Sequence, residues 1–289
     1  MKYPKILTIQ DISCVGQCSL TAALPILSAM GAETCILPSA VLSTHTGGFT
    51  GYTFRDLTDD MPAIAAHWQK EGIRFDAVYT GYLGSARQIE YVLDIVRNLR
   101  QDGAPFIADP AMADGGKLYK GFDDAYVEAM KPLCFGADVI LPNLTEACLL
   151  TGIPYREDYD DAYIRTLCET LHGNGAKTVV LTGVHLHEKY PAYPEHSELT
   201  GVVIYDGETL RCYPHRRIDR SCHGTGDVFA SVFTGAYVQG ISPYQAAAFA
   251  AEFTVRSIEH TVDDPDHWYG VKFETQLPWL CETLGKELA

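Results

Sequence analysis

"DAVYTGYLGSARQIEYVLDIVRNLRQDGAPFIAD" (residues 76–109) decides the fold class. An apolar run, DAVYT (76–80), precedes a helix-like stretch over 85–100 and a second apolar run, PFIAD (105–109). Strand, helix and strand in that order predict parallel strands, because parallel neighbours need a crossover of about a dozen or more residues. The alternation continues in both directions. Upstream lie KILTI (5–9), a helix over 18–30 ending at Gly31, TCILP (34–38) and a helix over 60–70. Downstream lie a helix over 122–132, DVILP (138–142), helices over 144–151 and 158–172, and TVVLT (178–182). A loop rich in His, Tyr and Pro follows over 184–198. The runs LTGVVIYD and TLRCYPH read as a hairpin joined at Asp206–Gly207. Helices over 226–239, 243–258 and 271–285 close the chain. The expected class is α/β, with a mostly parallel central sheet and helices on both faces. No stretch reads as a linker, repeat or low-complexity tract, so one domain over 1–289 is expected. STHTGGFTGYTF (43–54) is too polar and glycine-rich for a core helix and is expected to form a small flap over a ligand site.

Composition narrows the function classes. The chain has 289 residues, 47% hydrophobic and 20% charged, with mean hydropathy near zero, which is a globular balance. No apolar run approaches the roughly 20 residues of a membrane span, and the start has no signal-peptide pattern. The nine cysteines are scattered without CxxC pairs, as suits reduced thiols in a cytoplasmic protein. A net charge of −15 argues against a nucleic-acid binder. A local basic cluster, His215, Arg216, Arg217, Arg220 and His223, still suits an anionic ligand. His185 and His187 form an HLH pair without the further ligands of a zinc site.

Open parallel sheets bind ligands at the carboxyl ends of their strands. Those ends carry Gln10 and Asp11; Ser43, Thr44, His45, Thr46, Gly47 and Gly48; Asp109; Asn143 and Glu146; and Thr182 and Gly183. Each has an ordinary structural reading: Asn143 with Glu146, for example, is a good capping box. Together they suit nucleotide-dependent phosphoryl transfer, which needs positioning, charge stabilisation and a base beside the attacking hydroxyl. CHGTGDVFASV (222–232) supplies the remaining parts: glycines ahead of an apolar helix expose N–H groups to a phosphate, and Asp227 can accept a proton. Asp109 and Glu146 are candidate Mg²⁺ residues, acting through water. Neither a GxxxxGK[ST] loop nor an HRD catalytic loop is present, which excludes the common NTPase and protein-kinase designs. Cys222 beside the glycines reads as a packed thiol.

The motif set resembles the ribokinase-like superfamily and, within it, the vitamin B6 kinases. The resemblance covers roughly residues 5–260 and rests on ILTIQD (6–11), LSTHTGGFTG (42–51), TGYLGS (80–85), ADPAM (108–112), LPNLTEA (141–147) and HGTGD (223–227), in that order. It implies a ribokinase-like fold and ATP-dependent phosphorylation of the 5′-hydroxymethyl group of pyridoxal, pyridoxamine or pyridoxine, in salvage of pyridoxal 5′-phosphate. By similarity, Asp227 is the catalytic base and Gly224, Thr225 and Gly226 form the anion hole. Asp11, Thr46, Gly47 and Tyr82 match acceptor-binding positions. Asp109, Asn143, Glu146, Thr182 and Gly183 would face ATP and Mg²⁺. Homodimers and a potassium-type ion accompany the family. Two departures stand out: Asp11 occupies a position where many relatives place Ser, and the second Gly of THTGG replaces bulkier residues. A carboxylate at 11 would favour a protonated ring nitrogen or the amine of pyridoxamine. Two other readings share much of the pattern: a hydroxymethylpyrimidine kinase, and a non-catalytic pyridoxal phosphate-binding protein, for which the intact Asp227 and glycines would have no chemical use.

Overall fold

The computed structural model describes residues 3–186, 199–219 and 222–288. His187 and Arg220 lie outside the described residues, as does most of the loop expected over 184–198. The chain divides into two compact units, residues 1–105 with 218–289, and residues 106–217.

The first unit begins with β1 (Lys5–Ser13), α1 (Leu20–Ala29), β2 (Glu33–Leu42), β3 (Phe54–Asp56), α2 (Met61–Lys70), β4 (Ala77–Thr80) and α3 (Ala86–Leu99). β1 lies between β2 and β4 and runs parallel to both. Its residues Ile6, Leu7 and Ile9 are fully buried, as a central parallel strand requires. β1 extends four residues beyond the expected 5–9, because Ile12 and Ser13 still pair with Val41 and Leu42. That extension carries Asp11 into the sheet. β2 is likewise longer than expected, since β3 adds antiparallel along Ala40–Leu42. Sequence reading missed β3: it is three exposed residues with no burial pattern to read. Ser85 starts α3 by accepting the Gln88 N–H.

The second unit contains β5 (Phe106–Ala108), a two-strand ribbon of β6 (Ala113–Asp114) and β7 (Lys117–Leu118), α4 (Asp124–Phe135), β8 (Val139–Ile140), α5 (Leu144–Thr151), α6 (Asp161–Gly173), β9 (Thr178–Leu186), β10 (Leu199–Tyr205) and β11 (Leu210–Arg216). β8 lies between β5 and β9, parallel to both. β10 and β11 then continue antiparallel from β9. The expected hairpin turn is present: Asp206 Oδ1 accepts the N–H groups of Glu208 and Thr209, and Gly207 has φ +96°.

The chain returns to the first unit with α7 (Thr225–Gln239), α8 (Pro243–Val262), a 3₁₀ turn (Phe273–Gln276) and α9 (Leu277–Glu287). α7 packs against α1 and α8 and is buried along most of its length. A Cβ at Gly235 would lie 2.5 Å from the Sδ of buried Met30, so that glycine admits the neighbouring segment. The last helix starts six residues later than the expected 271–285. Residues 273–276 form the tighter turn, and Pro278 stands in the first turn of α9, where its missing N–H costs nothing. None of the nine cysteines is in a disulfide. Among the described residues no helix is long and apolar enough to cross a membrane.

Two glycines after helices separate conformational strain from crowding. Gly152 caps α5 with φ +74° in open space, whereas Gly175, after α6, has φ +130° and a Cβ there would meet Phe135 O at 2.5 Å. Gly152→Ala should cost about 1 kcal/mol in urea denaturation, the left-handed term alone. Gly175→Ala should cost at least about 1 kcal/mol more, because main chain must move. Equal losses would contradict the close contact.

Candidate active site

The first unit gathers two carboxylates around one strained serine. Asp11, 5% exposed near the end of β1, accepts the Ser13 hydroxyl at 2.9 Å and the Ser19 hydroxyl as well. The Ser19 main-chain N–H donates to the carboxylate of Asp227. Ser19 has φ 51° and ψ −128°, the one positive φ outside glycine among the described residues. Such a backbone costs on the order of 1–3 kcal/mol and persists only where its surroundings demand it. An isolated antiparallel bridge to Ile12 holds it in place. The helical spacing over 18–30 places residues 18 and 19 inside a helix. The helix begins at Leu20, and the Ser19 hydroxyl serves Asp11 instead of capping it.

The glycine loop closes on the same turn. Gly224 has φ +78°, and a Cβ there would lie 2.0 Å from Gln17 O and 3.2 Å from Cys18 Sγ, so no side chain fits. The first intrahelical bond of α7 runs from Val228 N–H to Gly224 O at 3.0 Å. The N–H groups of Gly224, Thr225, Gly226 and Asp227 therefore have no partner within the helix, and no side chain caps it. They form the positive end of a helix dipole, suited to an anion. Gly226 differs from Gly224: it is exposed, its φ is unexceptional, and an added Cβ would touch nothing. Packing does not require glycine there, and its bareness leaves the helix end open. Asp227 stands in the first turn. Burial pushes its carboxyl up to about 7, with the Ser19 N–H opposing and the charge of Asp11 adding to the rise. Burial, then Asp227 and Asp11, holds the Cys18 thiol well above its ordinary range.

The flap is irregular over 43–53, as expected, and His45 anchors it. Its Nδ1 accepts the Gly47 N–H at 3.0 Å, and its Nε2 lies 2.7 Å from Tyr269 O. A carbonyl only accepts, so the proton sits on Nε2 and the ring is neutral. Burial lowers the His45 pKa in the same sense. Phe49 meets His45 edge-on at 5.1 Å and packs on Trp268 at 4.6 Å. His223 lies 4.9 Å from the His45 ring, and a Cβ at Gly47 would meet it at 2.5 Å. Thr46 is exposed at the flap surface. Tyr82, after β4, has its phenol pushed up to about 12 by burial and then by Asp11, so it remains a donor at neutral pH.

The second unit places Asp109 after β5, Asn143 and Glu146 after β8, and Thr182 and Gly183 within β9. Asn143 and Glu146 form the expected capping box: Asn143 Oδ1 accepts the Glu146 N–H at 3.0 Å, and Glu146 Oε2 accepts the Asn143 N–H at 2.9 Å. Glu146 Oε1 also accepts the N–H groups of Met112 and Ala113, at 3.0 and 3.4 Å. Burial nevertheless pushes its carboxyl upward. Asp109, 8% exposed, follows β5. Burial holds the Cys134 thiol well above its ordinary range, with the charges of Glu146 and Asp109 adding to the rise. Thr182 and Gly183 do not close their strand as expected. β9 runs on to Leu186, and the two residues oppose Val202 alone in a bulge where Gly183 has φ +68°. Thr182 ends the parallel pairing, its N–H donating to Pro142 O at 3.0 Å beside a bridge to Asn143.

Outside these groups, the His185 N–H donates to the Tyr159 hydroxyl at 2.7 Å, and its ring lies 2.7 Å from Arg217. Among the described residues no group of three or more His, Cys, Asp or Glu is arranged to hold a metal. Of the expected basic cluster, His223 packs on the flap histidine, and Arg220 lies outside the described residues. Ser19 and Cys18 are not among the residues the sequence singles out, and His45 is named there only as one of the polar residues following β2. A lone Ser after Cys carries no signal, because its role depends on a backbone angle and on partners distant in sequence.

The sequence pattern of the family described as Phosphomethylpyrimidine kinase matches residues 17–270. The chain is 30% identical over 235 residues to the hydroxymethylpyrimidine/phosphomethylpyrimidine kinase of Bacillus subtilis, covering 81% of this chain and 79% of that protein. It is 27% identical over 269 residues to the pyridoxal kinase of Arabidopsis thaliana, covering 90% and 83%. A crystal structure from Bacteroides thetaiotaomicron, described as a candidate phosphomethylpyrimidine kinase in an orthorhombic form with pyridoxal, superposes with a TM-score of 0.89 at 39% identity, covering 96% of each chain.

Ser19 allows strain and hydrogen bonding to be separated. Ser19→Ala removes the hydroxyl and keeps the strain, while Ser19→Gly removes both. The glycine variant should be the more stable of the two by about 1–3 kcal/mol in urea denaturation. An alanine variant as stable as the glycine one would show that the backbone is relaxed.

Proposed function

Because the chain belongs to the phosphomethylpyrimidine kinase family, matching it over residues 17–270, we propose that it transfers the γ-phosphoryl group of ATP to the 5′-hydroxymethyl group of a vitamin B6 vitamer. The observation that carries this reading is the uncapped start of α7, with a bare Gly226 beside a base near neutrality. The alcohol O–H bond breaks toward Asp227, the oxygen forms a bond to the γ-phosphorus, and the bond to the departing ADP oxygen breaks. The N–H groups of residues 224–227 hold the charge that builds on the transferred group. The neutral Tyr82 hydroxyl, Thr46 and the Gly47 turn belong to the acceptor side.

Asp109, Asn143, Glu146, Thr182 and Gly183 belong to the nucleotide side in this reading. The residues fit Mg²⁺ held through water: Glu146 Oε1 is filled by two N–H donors, and Oε2, with one, keeps a lone pair for a metal-bound water. When bound, the ion supplies charge neutralisation on phosphate oxygens. The Bacillus subtilis relative supports a second reading with the same chemistry, in which the acceptor is hydroxymethylpyrimidine.

Mg²⁺-dependent ADP release with pyridoxal, pyridoxamine, pyridoxine and hydroxymethylpyrimidine tests both. A vitamer should be turned over, and Asp227→Asn should lower kcat by about 10²–10⁴-fold. Turnover of the pyrimidine alone would replace the first reading with the second. In the free enzyme the base must be ionised. kcat/KM should therefore fall about tenfold per pH unit below about 7 and level off above it. Gly226→Ala should keep the parent's melting temperature and lose at least about tenfold in kcat, since its Cβ obstructs only the anion. Full activity in that variant would remove the N–H groups from the mechanism.

A further inference from the structure

We infer that Asp11 is a specificity-determining residue that selects acceptor alcohols carrying a positive charge, with Ser19 coupling that charge to the base. The inference rests on the kinase reading for the identity of the acceptor. Its geometry is independent of that reading. Ser19 gives its hydroxyl to Asp11 and its N–H to Asp227, so the two carboxylates flank a single residue. The backbone of Ser19 is strained in making both bonds. The groups that face Asp11 are Ser13, Ser19, Cys18, Tyr82, His45 and Asp227. None brings a cation: the hydroxyls and the high thiol are neutral, and His45 carries its one proton toward Tyr269 O. Among the described residues, no lysine or arginine pairs with Asp11 or Asp227.

Two enclosed carboxyls at such range do not both ionise readily without a positive charge nearby. The charge of Asp11 raises the proton affinity of Asp227, so the ligand-free site holds back a proton that Asp227 must lose in order to act. An acceptor bearing an ammonium group or a protonated ring nitrogen supplies the missing charge and lets both groups ionise. A neutral alcohol leaves the repulsion in place. Substrate recognition and activation of the base thereby become one event. Thr80 pairs with Ile9 on the neighbouring strand, and its fully buried Oγ1 has no hydrogen-bond partner.

The experiment compares acceptors that differ by one charge, in the parent, Asp11→Asn and Asp11→Ser. Pyridoxamine against pyridoxine isolates the ammonium group. Pyridoxine against its benzene analogue isolates the ring nitrogen. Each pair is measured by calorimetric binding without nucleotide and by kcat/KM with ATP and Mg²⁺. In the parent at least one pair should differ by tenfold or more in favour of the cation, and both variants should bring that ratio within about threefold. Asp11→Asn should also move the acid limb of kcat/KM to lower pH, because the neighbouring charge that raises Asp227 is gone. A merely structural role would not move that limb. Ratios unchanged in both variants would overturn the inference, whatever the turnover. Collapsed binding ratios without turnover of any alcohol would instead refute the kinase reading and leave the charge selection standing.

Discussion

The close approach of the 16–19 turn to the start of α7 constrains everything else around Asp11 and Asp227. Gly224 rests so near Gln17 O that no Cβ fits, and Ser19 adopts a backbone that side chains avoid. The result is that one short turn supports the glycine loop, Asp227 and a second carboxylate at once. Local strain of this kind survives because the surrounding core is tightly packed: α7 is buried against α1 and α8, and β1 is buried along most of its length. The strain is a consequence of function in the reading favoured here, since a relaxed turn would release one of the two carboxylates.

In the proposed reading, the acceptor and nucleotide sides are built by different devices. On the acceptor side, the donors and acceptors come from loops held by close glycine contacts and by the neutral His45 ring. On the nucleotide side they come from strand ends, where a capping box doubles as a rigid mount for Glu146. Three N–H donors hold that carboxylate in one orientation while burial raises its proton affinity. Asp227 is held more lightly, which suits a group that must exchange a proton.

Much of this was legible before any coordinates. The strand–helix alternation gave the parallel sheet, and HGTGD and NLTE were assigned as helix starts that the structure places at Gly224 and Asn143. The misreadings share a cause. β1 and β2 run longer than their apolar cores because neighbouring strands supply hydrogen bonds to polar residues, and β9 continues past Thr182 because β10 adds on its other side. β3 exists only as an edge partner of β2. Pattern reading registers burial, and none of these extensions depends on burial alone.

What the sequence determined by itself is the order of elements, the glycine-rich helix start and the set of polar residues at strand ends. These follow from local rules: periodicity, capping and the conformational freedom of glycine. The meeting of Asp11 and Asp227 across Ser19, the tautomer of His45 and the open space above Gly226 were decided only by tertiary structure. They depend on angles and distances between segments up to some two hundred residues apart, and a carboxylate's proton affinity is set by what encloses it rather than by its neighbours in the chain.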